Sequence, residues 1–467
     1  MEDRPLLEGV DAERVLGEAL SRGGEFAEIF AEDKATTLIE LEGEKVEKLI
    51  QGSRSGAGVR TLHSFRTAYS YTDLISTPSL FECAQVSASA VSEGRDRIVP
   101  ARGAAWACHR LPVLEPPELV PVADKLELLW KAERAARRLD PRVRQVRLIL
   151  LDQTRKIALA DSQGLRAADA LTYTLFFVMV VAGDESGLQV AREMVGGASG
   201  FELFKEHDPE ELALQAARRA LTNLTAAYAP AGAMPVVLAA EAGGTMIHEA
   251  IGHGLEADLA HEGMSVFADK IGERVASPLI TVIDDATLPG RRGSFSIDDE
   301  GSPAQATVLV EKGVLKSYLY DRRLAMKHGR VSTGNGRRES YAFPPLVRMT
   351  NTLIAPGGSD PAEVLRSVDR GLLVKRMGGG EVNTVNGDFV FEVEEGCLIE
   401  NGKQGDPVRG ATLTGNGPRL LKEIDMVGSD LGFGLGTCGK DGRGAPVSDA
   451  QPTLRIPEVV VGGRFEG

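Results

Sequence analysis

Two histidines flank a glutamate in the six-residue segment His-Glu-Ala-Ile-Gly-His that begins at His248. Imidazole is the commonest zinc ligand in proteins, and zinc lowers the pKa of a bound water to about 7. A carboxylate next to the first ligand, Glu249, is placed to accept a proton from zinc-bound water. The pattern therefore predicts a hydrolytic metal site on His248 and His253, with two packed helical histidines as the alternative.

The spacing of the two histidines is one residue longer than in the His-Glu-x-x-His of most zinc peptidases. In a regular α-helix, residues five apart lie roughly 140° apart around the axis, whereas residues four apart lie about 40° apart. A π-helical turn contains more residues and returns the fifth residue to the same face. Because Gly252 and Gly254 flank His253 and tolerate unusual backbone geometry, we expect a distorted helical turn there.

A further ligand for such a metal could come from Cys438, which lies in the glycine-rich segment 432–442. Glycines let this backbone bend tightly or pass close to another group, so the thiolate could reach a metal. No two cysteines form a Cys-x-x-Cys pair, which argues against a disulfide framework or a zinc ribbon. We interpret three cysteines as ordinary core or surface thiols: Cys83, Cys108 and Cys397.

Length and charge limit the class of protein. The chain has 467 residues, which suffices for two or three domains, and a formal net charge of -14. This acidity argues against nucleic acid or an anionic membrane as the main partner, since both favour basic surfaces. The longest apolar run, 175–182, is too short to span a bilayer, and the charged segment 1–21 lacks the apolar core of a signal peptide. We expect a soluble cytoplasmic protein.

The order of helix and strand patterns predicts an α+β fold. It comprises an amino-terminal α/β half in two subdomains and a mainly β carboxyl-terminal domain that carries the metal-binding helix. A proline-rich connection at 112–121 and a turn near 228–232 mark the boundaries. The predicted domains are therefore residues 1–111, 122–227 and 228–467.

Local signals predict individual elements within this fold. Asp11 is a favourable N-cap for a helix that ends near residue 22, and Lys312-Gly313 and Asn401-Gly402 are typical of hairpin turns. Further helices are expected at 124–139 and 208–226. Period-two patterns predict strands that include 25–31, 36–41, 58–71, 235–240 and 314–320.

At His248 to Glu256, and again in the segments 436–442 and 451–456, the sequence resembles the TldD/PmbA (TldE) family of metallopeptidases. The resemblance extends over nearly the whole chain. It implies a zinc ion held by His248, His253 and Cys438, with Glu249 as the catalytic residue. It also separates the TldD type, which keeps this metal motif, from the TldE/PmbA type, which lacks it and acts as a partner subunit. The present chain retains the motif.

The resemblance implies a zinc-dependent peptidase that cleaves unfolded or extended polypeptides and small peptides. It further implies a homodimer or a heterodimer with a TldE/PmbA-type subunit. Two other functions stay open: a non-catalytic peptide-binding subunit with a structural metal, and a metal hydrolase that acts on a non-peptide amide. If Cys438 is not the third ligand, Glu256, Asp258 and His261 are the alternatives. Candidate donors for oxyanion stabilisation are His261 and Tyr341.

Overall fold

The computed structural model describes residues 4–91, 98–185 and 187–464. The first half of the chain contributes one seven-stranded sheet, in which β3, β2, β1, β5 and β6 follow one another and both β4 and β7 pair with β6. Its strands are β1 (Phe26–Glu42), β2 (Lys45–His63), β3 (Arg66–Thr72), β4 (Ala107–Cys108), β5 (Val143–Asp161), β6 (Arg166–Asp184) and β7 (Gly187–Gly197).

Helices cover one face of this sheet, as the alternation of side chains along β1 shows. Ala27, Ile29 and Ala31 pack against the first two helices of the chain. Ile39 and Leu41 are also odd-numbered, so their side chains point to the same face of the sheet, where they pack against the third and fifth helices. The helices of this half are α1 (Ala12–Ala19), α2 (Thr77–Ser89), α3 (Val122–Leu139), α4 (Leu203–Glu206) and α5 (Pro209–Thr225). Two residues of opposite parity on β1, Glu28 and Glu32, accept from Arg338 and from the backbone N–H of Tyr341 in the second half of the chain.

The second half is rich in strands, which confirms the predicted α+β class. Its strands are β8 (Ala227–Tyr228), β9 (Gly232–Leu238), β10 (Val282–Asp285), β11 (Ala306–Glu311), β12 (Val314–Leu315), β13 (Gly336–Arg337), β14 (Leu346–Val347), β15 (Asn351–Ile354), β16 (Arg370–Val382), β17 (Asp388–Glu400), β18 (Lys403–Arg409), β19 (Thr412–Asn416), β20 (Met426–Val427), β21 (Gly432–Lys440), β22 (Arg443–Gln451) and β23 (Leu454–Gly462). Its helices are short: α6 (Thr245–Ile247), α7 (Ala257–His261), α8 (Arg322–Lys327), α9 (Pro361–Arg366) and α10 (Gly417–Glu423). Among the described residues, no helix combines the length and the apolar character needed to cross a membrane.

Two larger sheets organise these strands. One has the order β12-β11-β10-β15-β22-β21, so β21 lies at its edge. The other follows β16-β9-β23-β19-β17-β18-β8, and an additional pairing of β16 with β17 closes its first five strands into a ring. A shared apolar core that includes Leu238, Ile247, Val282 and Phe391 fills the space between them. The segment that begins at Thr245 lies in this core, between the closed ring and the open sheet.

Buried ion pairs join the two halves. Glu28 is an even-numbered residue of β1, and its side chain points away from the helices. Arg60 Nη2 donates to Glu28 at 2.9 Å and to Glu300 at 2.6 Å. Arg155 Nη1 donates to Asp299 at 2.8 Å. Because buried charges are costly without partners, these pairs constrain how the sheet of the first half meets the second half.

Several local predictions are confirmed. The Asp11 side chain accepts a hydrogen bond from the backbone N–H of Arg14 at the start of α1. The predicted hairpin turns join β11 to β12 and β17 to β18, with positive φ at Lys312 and Asn401. The helices predicted at 124–139 and 208–226 correspond to α3 and α5.

Four of the predicted strands need correction. The segment 58–71 is not one strand, because Ser64 and Phe65 turn the chain between β2 and β3 with φ of 47° and 61°. Apart from residue 25, the predicted strands 25–31 and 36–41 are parts of the single strand β1, which pairs with β2 and β5 and has one register shift, between Glu40 and Leu41 in its pairing with β2. Of 314–320, only β12 is a strand, since the chain then leaves the sheet edge.

The division of the first half into two subdomains stays a prediction. Strands of both predicted ranges share one sheet, because β1 pairs with β5 over fifteen positions from Glu28 to Glu42. Residues 1–3 and 92–97 of the range 1–111, residue 186 of the range 122–227, and residues 465–467 of the last range lie outside the described residues.

The buried Arg60 contacts predict a large loss of stability in the Arg60→Ala variant. Removal of the guanidinium leaves Glu28 and Glu300 buried without this partner, so we expect the free energy of unfolding to fall by about 3–5 kcal/mol. Urea denaturation of the metal-free protein measures the change. Arg134→Ala is the control, because Arg134 and Glu127 form an exposed pair, 45% and 54% accessible, and the expected loss is at most about 1 kcal/mol. Equal losses in the two variants would contradict this account.

Candidate metal centre

The two histidines lie on a helical segment that changes from α-helical to π-helical to 3-10 geometry along its length. After β9 the chain turns through Gly243, whose φ is 71°, and forms the single turn α6. A π-helical segment, His248–Gly252, follows and is succeeded by a 3-10 turn, His253–Leu255. The distortion predicted from the histidine spacing is therefore present.

The two glycines beside His253 serve close packing and do not adopt an unusual backbone conformation. Gly252 has φ -54° and ψ -57°, and Gly254 is not among the residues with positive φ. A Cβ at Gly252 would lie 2.2 Å from Met349 Sδ, and a Cβ at Gly254 would lie 2.8 Å from Phe267 Cδ2. The conformational reason given for these glycines in the sequence prediction is thus wrong, and a steric reason replaces it.

The structure brings Cys438 to both histidines. Its Sγ lies 3.3 Å from His248 Nε2 and 3.3 Å from His253 Nε2. The potential ligand atoms of the three residues all lie within 4.8 Å of one another. Cys438 reaches this position from β21, the edge strand of the open sheet. The residues proposed from the sequence as metal ligands are therefore gathered at one point.

Contacts within this cluster stabilise the charged forms of Cys438 and His253 in the metal-free protein. Burial disfavours a thiolate at Cys438, but the contacts with His248 and His253 outweigh it and lower the thiol pKa to about 5. Burial likewise opposes a charged His253, yet its contacts with Cys438 and Glu256 raise the imidazole pKa to about 10. The arrangement thus favours the thiolate, which is the form of cysteine that binds metals.

Glu249 follows the first histidine and is partly buried. Burial raises the pKa of its carboxyl, although His248 and His253 act in the opposite direction. A carboxyl with a raised pKa is suited to accept and return a proton near neutral pH. The position and environment of Glu249 therefore fit a general base.

The alternative ligands predicted from the sequence have other partners. Glu256 Oε2 lies 3.2 Å from His253 Nδ1 and accepts from Lys440 Nζ at 2.9 Å. Asp258 Oδ1 accepts from the same Nζ at 2.8 Å. The His261 ring stacks on His328, with 3.5 Å between centroids, and its Nε2 lies 3.0 Å from Tyr320 Oη. None of Glu256, Asp258 and His261 belongs to the group of mutually close ligand atoms found among the described residues.

The second candidate for oxyanion stabilisation, Tyr341, lies in the contact between the two halves. Its hydroxyl donates to Asp73 and accepts from Arg54 Nε at 3.2 Å. Its ring also packs edge-on against Tyr71 of β3. These contacts explain the burial of Tyr341 by packing, and they lend no support to an oxyanion role.

Asp449 is a residue of the site region that the sequence did not reveal. Its Oδ1 accepts from the backbone N–H of Gly244 at 2.9 Å, just before the helical segment that carries His248 and His253. A Cβ at Gly434 would lie 2.4 Å from the same Oδ1, so a glycine is required opposite this carboxylate. Nothing in the local sequence around Asp449 indicates this contact, because its partner is about 200 positions away.

Three family domains match nearly the whole chain. They are PmbA/TldA metallopeptidase domain 1 at residues 27–91, the central domain at 115–224 and the C-terminal domain at 231–463. A protein named metalloprotease TldD homolog from Haemophilus influenzae is 40% identical over 417 residues, which cover 87% of this chain and 86% of that protein. The chain belongs to the TldD/PmbA family of metallopeptidases. A second relative, from Methanothermobacter thermautotrophicus, is named metalloprotease. It is 36% identical to this chain over 451 residues, which cover 94% of this chain and 96% of that protein.

Solved structures with low sequence identity share the fold of this family member. TldE from Thermococcus kodakarensis superposes with a TM-score of 0.77 at 18% identity, covering 97% of this chain and 99% of that one. A protein from Thermotoga maritima, described as a proposed modulator of a DNA gyrase, superposes with a TM-score of 0.78 at 21% identity, covering 94% and 96%. At these identities the likeness concerns the fold alone.

Proposed function

We propose that the chain is a zinc-dependent peptidase in which His248, His253 and Cys438 hold the metal and Glu249 transfers protons. The observation that carries this proposal is the cluster of three ligand atoms within 4.8 Å of one another, next to a partly buried glutamate. Relatives that are 36–40% identical to this chain are named metalloproteases, which supports peptide hydrolysis as the reaction.

The cluster fits the dimensions of a zinc site. Zinc binds histidine nitrogen at about 2.0–2.1 Å and cysteine sulfur at about 2.3 Å, so in a tetrahedral site nitrogen and sulfur lie roughly 3.6 Å apart. Both nitrogen-to-sulfur distances here are 3.3 Å, which is close to that separation. Two imidazoles and a thiolate also match the ligand chemistry that zinc prefers.

The proposed mechanism assigns a proton path to the chain's own residues. When bound, zinc supplies Lewis-acid chemistry that activates water and polarises the scissile carbonyl. Glu249 accepts the proton of the attacking water and then donates it to the departing amine. Burial raises the pKa of this carboxyl in the metal-free protein, which strengthens it as a proton acceptor.

We propose an unfolded or extended polypeptide, or a small peptide, as the substrate. Cys438 lies on β21, whose partner among the described strands is β22, and an extended peptide can add to such a sheet edge through main-chain hydrogen bonds. Comparison of short peptides, an unfolded protein, a folded protein and a simple non-peptide amide tests this choice. Cleavage of the non-peptide amide alone would exclude peptidase activity.

We also propose that the active form is a dimer, either with a second copy or with a TldE/PmbA-type subunit. The resemblance to the TldD type implies this assembly, and the fold shared with TldE from Thermococcus kodakarensis is compatible with a TldE-type partner subunit. Sedimentation velocity of the isolated chain separates the two arrangements, because a monomer in isolation leaves only the heterodimer.

The rival function is a non-catalytic peptide-binding subunit with a structural metal. Structural zinc sites are closed by four protein ligands, whereas the described residues gather three. This difference favours the catalytic assignment. Inhibition by a chelator without unfolding would support it further, and unfolding on metal removal would support the rival.

The ligand assignment predicts that Cys438→Ala fails to retain zinc. We expect about one zinc per chain in the unaltered protein and little in the variant, because a two-histidine site lacks the thiolate. Elemental analysis after gel filtration measures the content. Cys108→Ala is a matched control, since Cys108 is an exposed thiol, and it should retain zinc fully. Full retention by Cys438→Ala would refute the assignment.

The proton-transfer role predicts that Glu249→Ala keeps its zinc and loses hydrolysis. Loss of a general base costs typically about 10²–10⁴-fold in rate, and Glu249 is not among the three ligand residues. Peptide cleavage and zinc content are measured on the same preparation. Glu262→Ala, at an exposed position beyond α7, is the control and should cleave normally. Normal cleavage by Glu249→Ala would show that another group moves the proton.

A further inference from the structure

His253 is held at both ring nitrogens. Its Nε2 lies 3.3 Å from Cys438 Sγ, on the side where the metal is proposed to bind, and its Nδ1 lies 3.2 Å from Glu256 Oε2. The Glu256 side chain is fully buried, with 0% of its surface accessible. A buried carboxylate on the far nitrogen of a metal-binding imidazole fixes the orientation and tautomer of the ring.

The local backbone explains why Glu256 reaches this nitrogen. His253 begins a 3-10 turn that ends at Leu255, and residues three apart in a 3-10 turn stand directly above one another. Glu256 is three positions after His253, so its carboxylate lies alongside the ring. The π-helical segment before His253 places it next to His248, and the 3-10 turn after it places it next to Glu256.

Lys440 extends this contact to the strand that carries the third ligand. It follows Cys438 by two positions on β21, so both side chains project from the same face of the strand. Lys440 Nζ donates to Glu256 Oε2 at 2.9 Å and to Asp258 Oδ1 at 2.8 Å. The sequence of contacts from His253 through Glu256 to Lys440 therefore links the helical segment of two ligands to the strand of the third.

We propose that Glu256 and Lys440 are positioning residues of the metal centre, which rests on the zinc site of the proposed function. Glu256 accepts the Nδ1 proton of His253, which leaves Nε2 to face the metal with its lone pair. Lys440 balances the charge of the buried carboxylate. It also fixes β21 in the position at which Cys438 Sγ contacts both imidazoles. Removal of Lys440 leaves the buried Glu256 carboxylate without this counterion, whereas removal of Glu256 leaves Lys440 with Asp258 as its carboxylate partner.

The test measures zinc affinity of the metal-free full chain by competition with a chelating dye. We expect Glu256→Gln and Lys440→Gln each to bind zinc about 10–100-fold more weakly, as is typical for partners of metal-binding histidines. The double variant should lose less than the product of the two factors, because both residues act through one set of contacts. Glu262→Gln and Lys403→Gln make the same chemical changes at exposed positions and should leave the affinity unchanged.

A second measurement separates positioning from a general effect on folding. Nitrogen-15 NMR of the histidines in the zinc-loaded protein should show a proton on His253 Nδ1 in the unaltered chain, with a shifted signal in Glu256→Gln. Thermal unfolding of each metal-free variant gives the folded fraction used to correct its affinity. Glu256→Asp, which keeps the charge, should recover part of the affinity and provides a variant if Glu256→Gln does not fold.

The outcomes distinguish this inference from the function on which it rests. Zinc binding by the unaltered chain together with unchanged corrected affinities in both Gln variants would overturn the positioning roles and leave the proposed metal site standing. Absence of zinc binding by the unaltered chain would overturn both. A weaker affinity in Glu256→Gln with an unchanged His253 signal would also contradict the role assigned to Glu256.

Discussion

The contact of Cys438 with two imidazoles is the constraint on which the site depends. The thiol is separated from His253 by 185 positions, and its Sγ lies at the same 3.3 Å from both Nε2 atoms. Such a contact requires an edge strand of the open sheet and a helical segment in the core to be placed within a fraction of an ångström. Several buried arginines of the second half contribute to this placement.

Buried arginines hold the strand that carries the thiol. Arg292 Nε donates to the backbone carbonyl of Gly436 at 3.2 Å, and Arg348 donates to that of Cys438 itself. On the neighbouring strand, Arg337 Nη2 donates to the carbonyl of Pro446 at 3.0 Å. A glycine-rich strand offers few side chains for packing, so contacts to its backbone are an effective means to fix it.

Sequence patterns predicted the features that depend on residues close together along the chain. The helical distortion followed from the spacing of His248 and His253, and the start of α1 followed from Asp11. Apart from Cys438, which the sequence offered as a further ligand, these patterns did not predict partners that only the tertiary fold supplies. Alternating charges on β1 are typical of a strand with one face in solvent, yet Glu28 on that face is buried against Arg60, because the second half covers it. The contact of Asp449 with Gly244 is of the same kind.

The extra residue between the histidines has a consequence beyond the ring-to-ring geometry. A regular helix repeats one angle at every step, so a position that aligns with the residue four before it also aligns with the residue four after it. His253 instead has its partners five positions before and three positions after, at His248 and Glu256. A change of helix type at His253 satisfies both distances with one side chain, so a single residue faces the Cys438 thiol with one nitrogen and a buried carboxylate with the other.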